Sequence, residues 1–321
     1  IIVLYKYKAI WIIFDYMNVI LKNSVNEKVH FVNNYGLQLF FKREDKIHNI
    51  ISGNKYRKLK FNLIKAKELG YKGLLTFGGA YSNHIPAVAY AAKKHGFKSF
   101  GFIRGDELVN NFLENPTLKY SHNLGMNFNF LSRSDYKLKT NKNYLNRIRN
   151  KFKDYYFIPE GGTNALGVLG CEEILNNDDK KFDYICCSVG TGGTISGLIN
   201  SSYENQQIIG FSSINKKFLL NDITKFVTSD NWILIDDFSF GGYGKVNNEL
   251  IEFMNNFKHK YDILLDPIYT SKLVYGVLNL ITNNFFKPNS KILMIHTGGH
   301  QGILPMNKYL KDKNLTTINY K

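Results

Sequence analysis

Short apolar runs alternate along this chain with longer stretches in which apolar residues recur every three or four positions. The runs at 37–43, 73–77, 98–104, 126–131 and 155–158 read as strands, since β-branched and aromatic residues crowd together there. Between them the spacing predicts helices at 54–69, 82–95, 117–124 and 144–152, the first two closed by Gly70 and Gly96. Residues 182–187 and 291–296 read as further buried strands. Strand-helix alternation of this kind implies an α/β fold, with parallel sheets covered by helices on both faces. A chain of 321 residues is long enough for a substantial core and for two lobes.

Composition changes this picture little. The formal net charge is +16, which raises the question of a nucleic-acid partner. Only six of the cationic residues are arginine (Arg43, Arg57, Arg104, Arg133, Arg147 and Arg149), and the lysines scatter through every helical stretch instead of forming one stripe. No nucleic-acid partner is therefore expected. Cys171, Cys186 and Cys187 show neither paired nor metal-ligand spacing, so reduced buried thiols, a cytoplasmic location and no metal are expected. The apolar N-terminus is interrupted by lysines, is too short to span a bilayer, and is followed by no small-residue cleavage site. Residues 1–16 read as an extension of unknown status, with Met17 as an alternative start, and no membrane association is expected.

Candidate chemistry lies in three segments. Lys55 follows a Gly53-Asn54 turn and opens a helical stretch, so its amine can be aimed into a cleft and form a Schiff base. By itself it is one lysine among many. The apolar run at 73–77 ends in two glycines and then Ser82-Asn83-His84 at a helix start, where free amides and the helix dipole favour an anion such as a substrate carboxylate. The third segment, Gly190-Thr191-Gly192-Gly193-Thr194, joins a buried strand to an apolar helix, which suits a phosphate. There is no Walker lysine, and no Gly-x-Gly-x-x-Gly on a first strand with an acidic residue about twenty positions on. A phosphate site without a nucleotide signature, downstream of a candidate Schiff-base lysine, points to pyridoxal 5′-phosphate.

These segments resemble the 1-aminocyclopropane-1-carboxylate deaminase and D-cysteine desulfhydrase family, pyridoxal-phosphate enzymes of the tryptophan-synthase beta-like superfamily. The resemblance spans nearly the whole chain: Phe41-Lys42-Arg43-Glu44-Asp45, Gly53-Asn54-Lys55, Ser82-Asn83-His84, Pro159-Glu160-Gly161-Gly162-Thr163-Asn164, the 190–194 turn, Asp266-Pro267-Ile268-Tyr269-Thr270 and His296-Thr297-Gly298-Gly299. It implies the two-domain type II pyridoxal-phosphate fold, with a small lobe at 60–160 set into a large cofactor-binding lobe made of 1–59 and 161–321. The cofactor would sit in the cleft between them, and the active form would be a homodimer acting on a small amino acid.

The resemblance also implies roles. Lys55 would carry the cofactor and then act as base at the substrate α-carbon. Asn83 would bond the cofactor's phenolic oxygen, and Ser82 and His84 would meet the substrate carboxylate. Tyr243 and Tyr269 fall where the family places active-site tyrosines. Thr297 is the first candidate partner for the pyridine nitrogen, and Thr270 the second. Members that open the cyclopropane ring resemble a Tyr-Glu pattern at the Tyr269-Thr270 position and lack a hydroxyl at the Thr297 position, so threonine at both favours D-cysteine desulfhydration. The alternatives are deamination of 1-aminocyclopropane-1-carboxylate, or a racemase or deaminase of another small amino acid. Pro86, in the first turn of the helix after His84, is a departure expected to bear on the carboxylate cradle.

Overall fold

The computed structural model describes residues 20–51, 53–214 and 216–320. The N-terminal extension, Met17 and Ser52 therefore lie outside the described residues. Ten strands and ten helices of eight or more residues organise the described chain. The strands are β1 (Asn26–Val29), β2 (Gln38–Lys42), β3 (Gly73–Gly79), β4 (Lys98–Arg104), β5 (Met126–Leu131), β6 (Tyr155–Ile158), β7 (Tyr184–Val189), β8 (Gln207–Ser212), β9 (Trp232–Ile235) and β10 (Lys291–Ile295). The helices are α1 (Asn54–Glu68), α2 (His84–His95), α3 (Pro116–Asn123), α4 (Lys142–Lys151), α5 (Ala165–Glu172), α6 (Gly193–Ser201), α7 (Lys216–Ile223), α8 (Asn248–Tyr261), α9 (Thr270–Thr282) and α10 (Ile303–Asp312).

The strands form two sheets. One has the order β5-β4-β3-β6, all parallel, and uses only residues between 73 and 158. The other has the order β1-β2-β10-β7-β8-β9 and draws on both ends of the chain. Only β1 runs antiparallel, pairing with β2 at the edge. The expected parallel-rich α/β architecture is present. Alternation along single strands shows why helices cover both faces. On β7, Cys186 points into a core shared with Leu250, Met254, Leu273 and Val277 of α8 and α9, whereas Ile185 and Cys187 point into one shared with Cys171, Ile195 and Leu198 of α5 and α6. The smaller sheet repeats the arrangement, with Leu74 against α1 and α2 and with Leu75 and Phe77 against Tyr136 and Ile148.

The helix α1 is continuous across residue 60, where the sequence placed a lobe boundary, and its Leu59, Leu63 and Ala66 pack with the smaller sheet. Its first turn is anchored toward β2: Arg57 Nε and Nη2 donate to the two carboxylate oxygens of fully buried Glu44 at 2.9 and 2.8 Å. The pair is bidentate and buried, so removing one partner would strand a charge, at a cost of about 3–5 kcal/mol. The same turn of α1 carries Lys55, two residues before Arg57.

Candidate active site

Parallel strands end on a common side, and ligands of open α/β sheets bind there. A cavity of about 270 Å³ lies at that side, bordered by Gly79 and Arg104 at the ends of β3 and β4, by Val189 and the turn after β7, and by Thr297 after β10. Lys55 enters from the first turn of α1. Its Nζ donates to Asn54 Oδ1 at 2.9 Å, and Asn54 Nδ2 donates to Thr194 Oγ1 at 2.9 Å, which ties the lysine turn to the glycine-rich turn. Burial, with the Lys58 cation adding to it, lowers the Lys55 amine to about 7. A large share of the amine is therefore neutral, and nucleophilic, near neutral pH.

Lys58 was not singled out in the sequence. It follows Lys55 by three residues, so both project from one face of α1. Its Nζ donates to Gly161 O and Thr163 Oγ1 at 3.2 Å and to Thr191 Oγ1 at 3.4 Å, and the two threonine hydroxyls lie 2.6 Å apart. Burial lowers its pKa as well. These groups gather at the N-terminus of α6, whose first amides have no intrahelical partner. A buried amine, two hydroxyls and a helix N-terminus together form a cradle of the kind that can hold a phosphate. Gly190, Thr191, Gly192 and Thr194 border the cavity, whereas Gly193 lies behind, with Thr163 Oγ1 only 2.8 Å from where its Cβ would be.

The opposite wall is the start of α2. The helix begins at His84, two residues later than the periodicity predicts, because Ser82 and Asn83 belong to the turn leaving β3: Ser82 N donates to Gly79 O, and Ser82 Oγ accepts from His84 N. Ser82, Asn83 and His84 all border the cavity. Asn83 Oδ1 is buried without a hydrogen-bond partner among the described residues. His84 is fully buried, with Nε2 at 2.8 Å from Thr76 Oγ1. Pro86 sits in the first turn of α2, where its missing N–H removes no intrahelical bond.

Tyr243 and Tyr269 face each other at 6.0 Å between ring centroids, and both border the cavity. The Tyr269 hydroxyl lies over Gly190, 2.9 Å from where a Cβ would be. Burial raises the pKa of both phenols, that of Tyr269 well above its ordinary value, so both keep their hydrogens at neutral pH. Thr297 borders the cavity, but Thr270 does not. The Thr270 hydroxyl is spent on Asp266, donating to Oδ2 at 2.7 Å and accepting from Asp266 N at 2.8 Å. The Asp266 carboxylate also accepts from the amides of Ile268, Tyr269 and Thr270. Thr270 is thus a helix-start residue that holds Tyr269 in place, which corrects the expectation that it stands second to Thr297 at a ring nitrogen. The Thr297 turn is pinned in turn by His296 and His300, whose Nε2 atoms both donate to Leu264 O.

Two charged residues at the cavity were also missed. Arg104 lies with its guanidinium 5.9 Å from the Tyr136 ring, and Glu160 accepts from the Tyr136 hydroxyl at 2.6 Å and pairs with Lys139 at 3.4 Å. Arg104 ends a parallel strand, and that position was the available signal.

A neutral lysine seeks a carbonyl, and the cradle one helical turn away seeks a phosphate; a protein providing both is built for a phosphorylated aldehyde. Residues 27–298 match the sequence profile of the pyridoxal-phosphate dependent enzymes, and the chain belongs to that family. Within it, a putative 1-aminocyclopropane-1-carboxylate deaminase from Thermotoga maritima is 30% identical over 297 residues, covering 86% of this chain and 93% of its own. A bifunctional mitochondrial D-cysteine desulfhydrase/1-aminocyclopropane-1-carboxylate deaminase from Arabidopsis thaliana is 31% identical, covering 84% of this chain and 74% of its own. The solved structure of a homologue of 1-aminocyclopropane-1-carboxylate deaminase superposes with a TM-score of 0.76 at 26% identity, covering 94% of this chain and 98% of its own. Among the described residues, no helix is long and apolar enough to cross a membrane.

Proposed function

We propose that the protein is a lyase that eliminates sulfide from D-cysteine. One water is taken up, and pyruvate, ammonia and hydrogen sulfide are released. Bound pyridoxal phosphate supplies an electron sink for the α-carbanion. The Lys58, Thr163 and Thr191 cradle with the α6 amides would hold its phosphate, and Lys55 its aldehyde carbon. Asn83 would reach its phenolic oxygen and Thr297 its ring nitrogen. Lys55, with its pKa lowered to about 7, is suited to take the α-proton. The Ser82 hydroxyl, at the turn before α2, would meet the substrate carboxylate. The protonated phenols of Tyr243 and Tyr269 can give a hydrogen to the departing sulfur.

The observation that carries the choice of reaction is Thr297 at the cavity wall, with the nearby Asp266 carboxylate turned away to cap α9. A hydroxyl stabilises a protonated ring less than a carboxylate would. A weaker sink favours a substrate with a good β-leaving group over one that needs carbon–carbon cleavage. Steady-state assays of sulfide from D-cysteine and of 2-oxobutanoate from 1-aminocyclopropane-1-carboxylate test this reading. The expected result is a higher kcat/KM for D-cysteine. A higher value for the cyclopropane substrate overturns it in favour of the deaminase activity in the names of the relatives.

A further inference from the structure

The hydrogen-bond roles of His84 follow from its neighbours. The hydroxyl of Thr76 has a single hydrogen, and Thr76 Oγ1 donates it to the backbone oxygen of Ile158 at 2.8 Å. A carbonyl oxygen only accepts. The second contact of Thr76 Oγ1, with His84 Nε2 at 2.8 Å, must therefore be one in which the histidine donates. In the neutral ring the hydrogen sits on Nε2, and Nδ1 is a bare lone pair. That Nδ1 is buried and has no hydrogen-bond partner among the described residues. Burial, with Lys55 and Lys58 close by, holds His84 well below its ordinary range.

We infer that His84 meets the bound ligand as a fixed hydrogen-bond acceptor through Nδ1, and that Thr76 is the positioning residue that locks this tautomer. The inference rests on the ligand occupying the cavity described above, and it reverses the role that family resemblance assigns to His84. A lone pair repels a carboxylate. The group it accepts from carries a hydrogen, and an amine is the chemistry at hand. Lys58 Nζ points to Gly161, Thr163 and Thr191, on the side proposed for the phosphate, whereas among the described residues Lys55 Nζ donates to Asn54 Oδ1 alone. An amino-acid substrate brings a second amine. The carboxylate is then left to the Ser82 hydroxyl, since His84 N and Ile85 N already donate to Ser82 Oγ and Ser82 O and Pro86 has no N–H.

Selective 15N-histidine labelling of the pyridoxal-phosphate-loaded enzyme reads the tautomer directly. His84→Asn assigns the signal, or His84→Gln if that variant does not fold. The expected signal is a neutral Nε2–H ring that does not titrate between about pH 6 and about pH 9. Thr76→Val should release the tautomer and Thr76→Ser restore it. Adding D-alanine, then L-alanine, should move the Nδ1 resonance as it accepts a hydrogen bond. An Nδ1–H or protonated ring, an unchanged tautomer in Thr76→Val beside wild type, or an Nδ1 signal that neither amino acid moves would each overturn the inference. None of these readouts requires turnover, so failure of D-cysteine as a substrate is a separate outcome.

Discussion

Gly53 and Thr297 meet backbone to backbone: a Cβ placed on Gly53 would fall on the carbonyl group of Thr297. Gly53 also has φ +58, a left-handed conformation that disfavours any other residue. The turn that launches Lys55 is thereby seated against the turn that presents Thr297. Gly53→Ala should therefore lower stability by about 2–4 kcal/mol, combining backbone strain with overpacking. It should also displace both ends of the cofactor site. Thermal denaturation together with pyridoxal-phosphate titration checks this, and a wild-type Tm with wild-type affinity would contradict the contact.

The Lys55 amine has its pKa lowered to about 7, so it loses its charge as pH rises through that value instead of near the usual value for lysine. Adduct formation with pyridoxal phosphate should climb through about pH 7 and level off above it. Borohydride trapping and peptide mapping should place the label on Lys55. A label on Lys58, the neighbouring buried lysine, would reassign the nucleophile.

Removing the cradle is expected to weaken the cofactor more than the fold. Each charge-assisted hydrogen bond contributes about 1.5–3 kcal/mol, so Lys58→Ala should raise the Kd for pyridoxal phosphate by about 10- to 100-fold. Thr191→Val should raise it less. Equilibrium titration monitored by absorbance is the measurement. Gly192→Val is a poorer probe: Gly192 has φ +82, and its side-chain direction leads to Ile223 at 2.9 Å, so folding would suffer along with the phosphate site.

Much of this arrangement was legible in the sequence because local patterns carried it. β4, β5 and β6 fall where the apolar runs predict them, and Gly70 and Gly96 end their helices with positive φ. Lys58 was not legible: α1 carries several lysines, and only the approach of Thr163 and Thr191 from distant segments marks this one. Thr270 misled for the opposite reason. A threonine beside a cavity-lining tyrosine looks like a ligand-facing hydroxyl until Asp266, four residues earlier, is seen to occupy it. Hydrogen-bond commitments of this kind do not show in residue spacing.

Thr270→Val and Thr297→Val should accordingly separate. The first strips a buried carboxylate and a buried amide of a partner and should cost about 1–3 kcal/mol of stability. The second should leave Tm nearly unchanged while lowering kcat for elimination and shifting the absorbance of the bound cofactor. Parallel melting curves and cofactor spectra distinguish the two, and a spectral change in Thr270→Val without loss of stability would return that hydroxyl to the ring.

Placing Lys55 and Lys58 on one face of α1 means that the fold draws two amines away from water, lowering the pKa of both, before any phosphate is present to balance them. A ligand that binds only the folded state stabilises it by mass action. The vitamin-derived cofactor is thus also a folding partner. Newly made chains that lack it would be the ones open to proteolysis, and the amount of this protein in a cell would follow cofactor supply as well as gene expression.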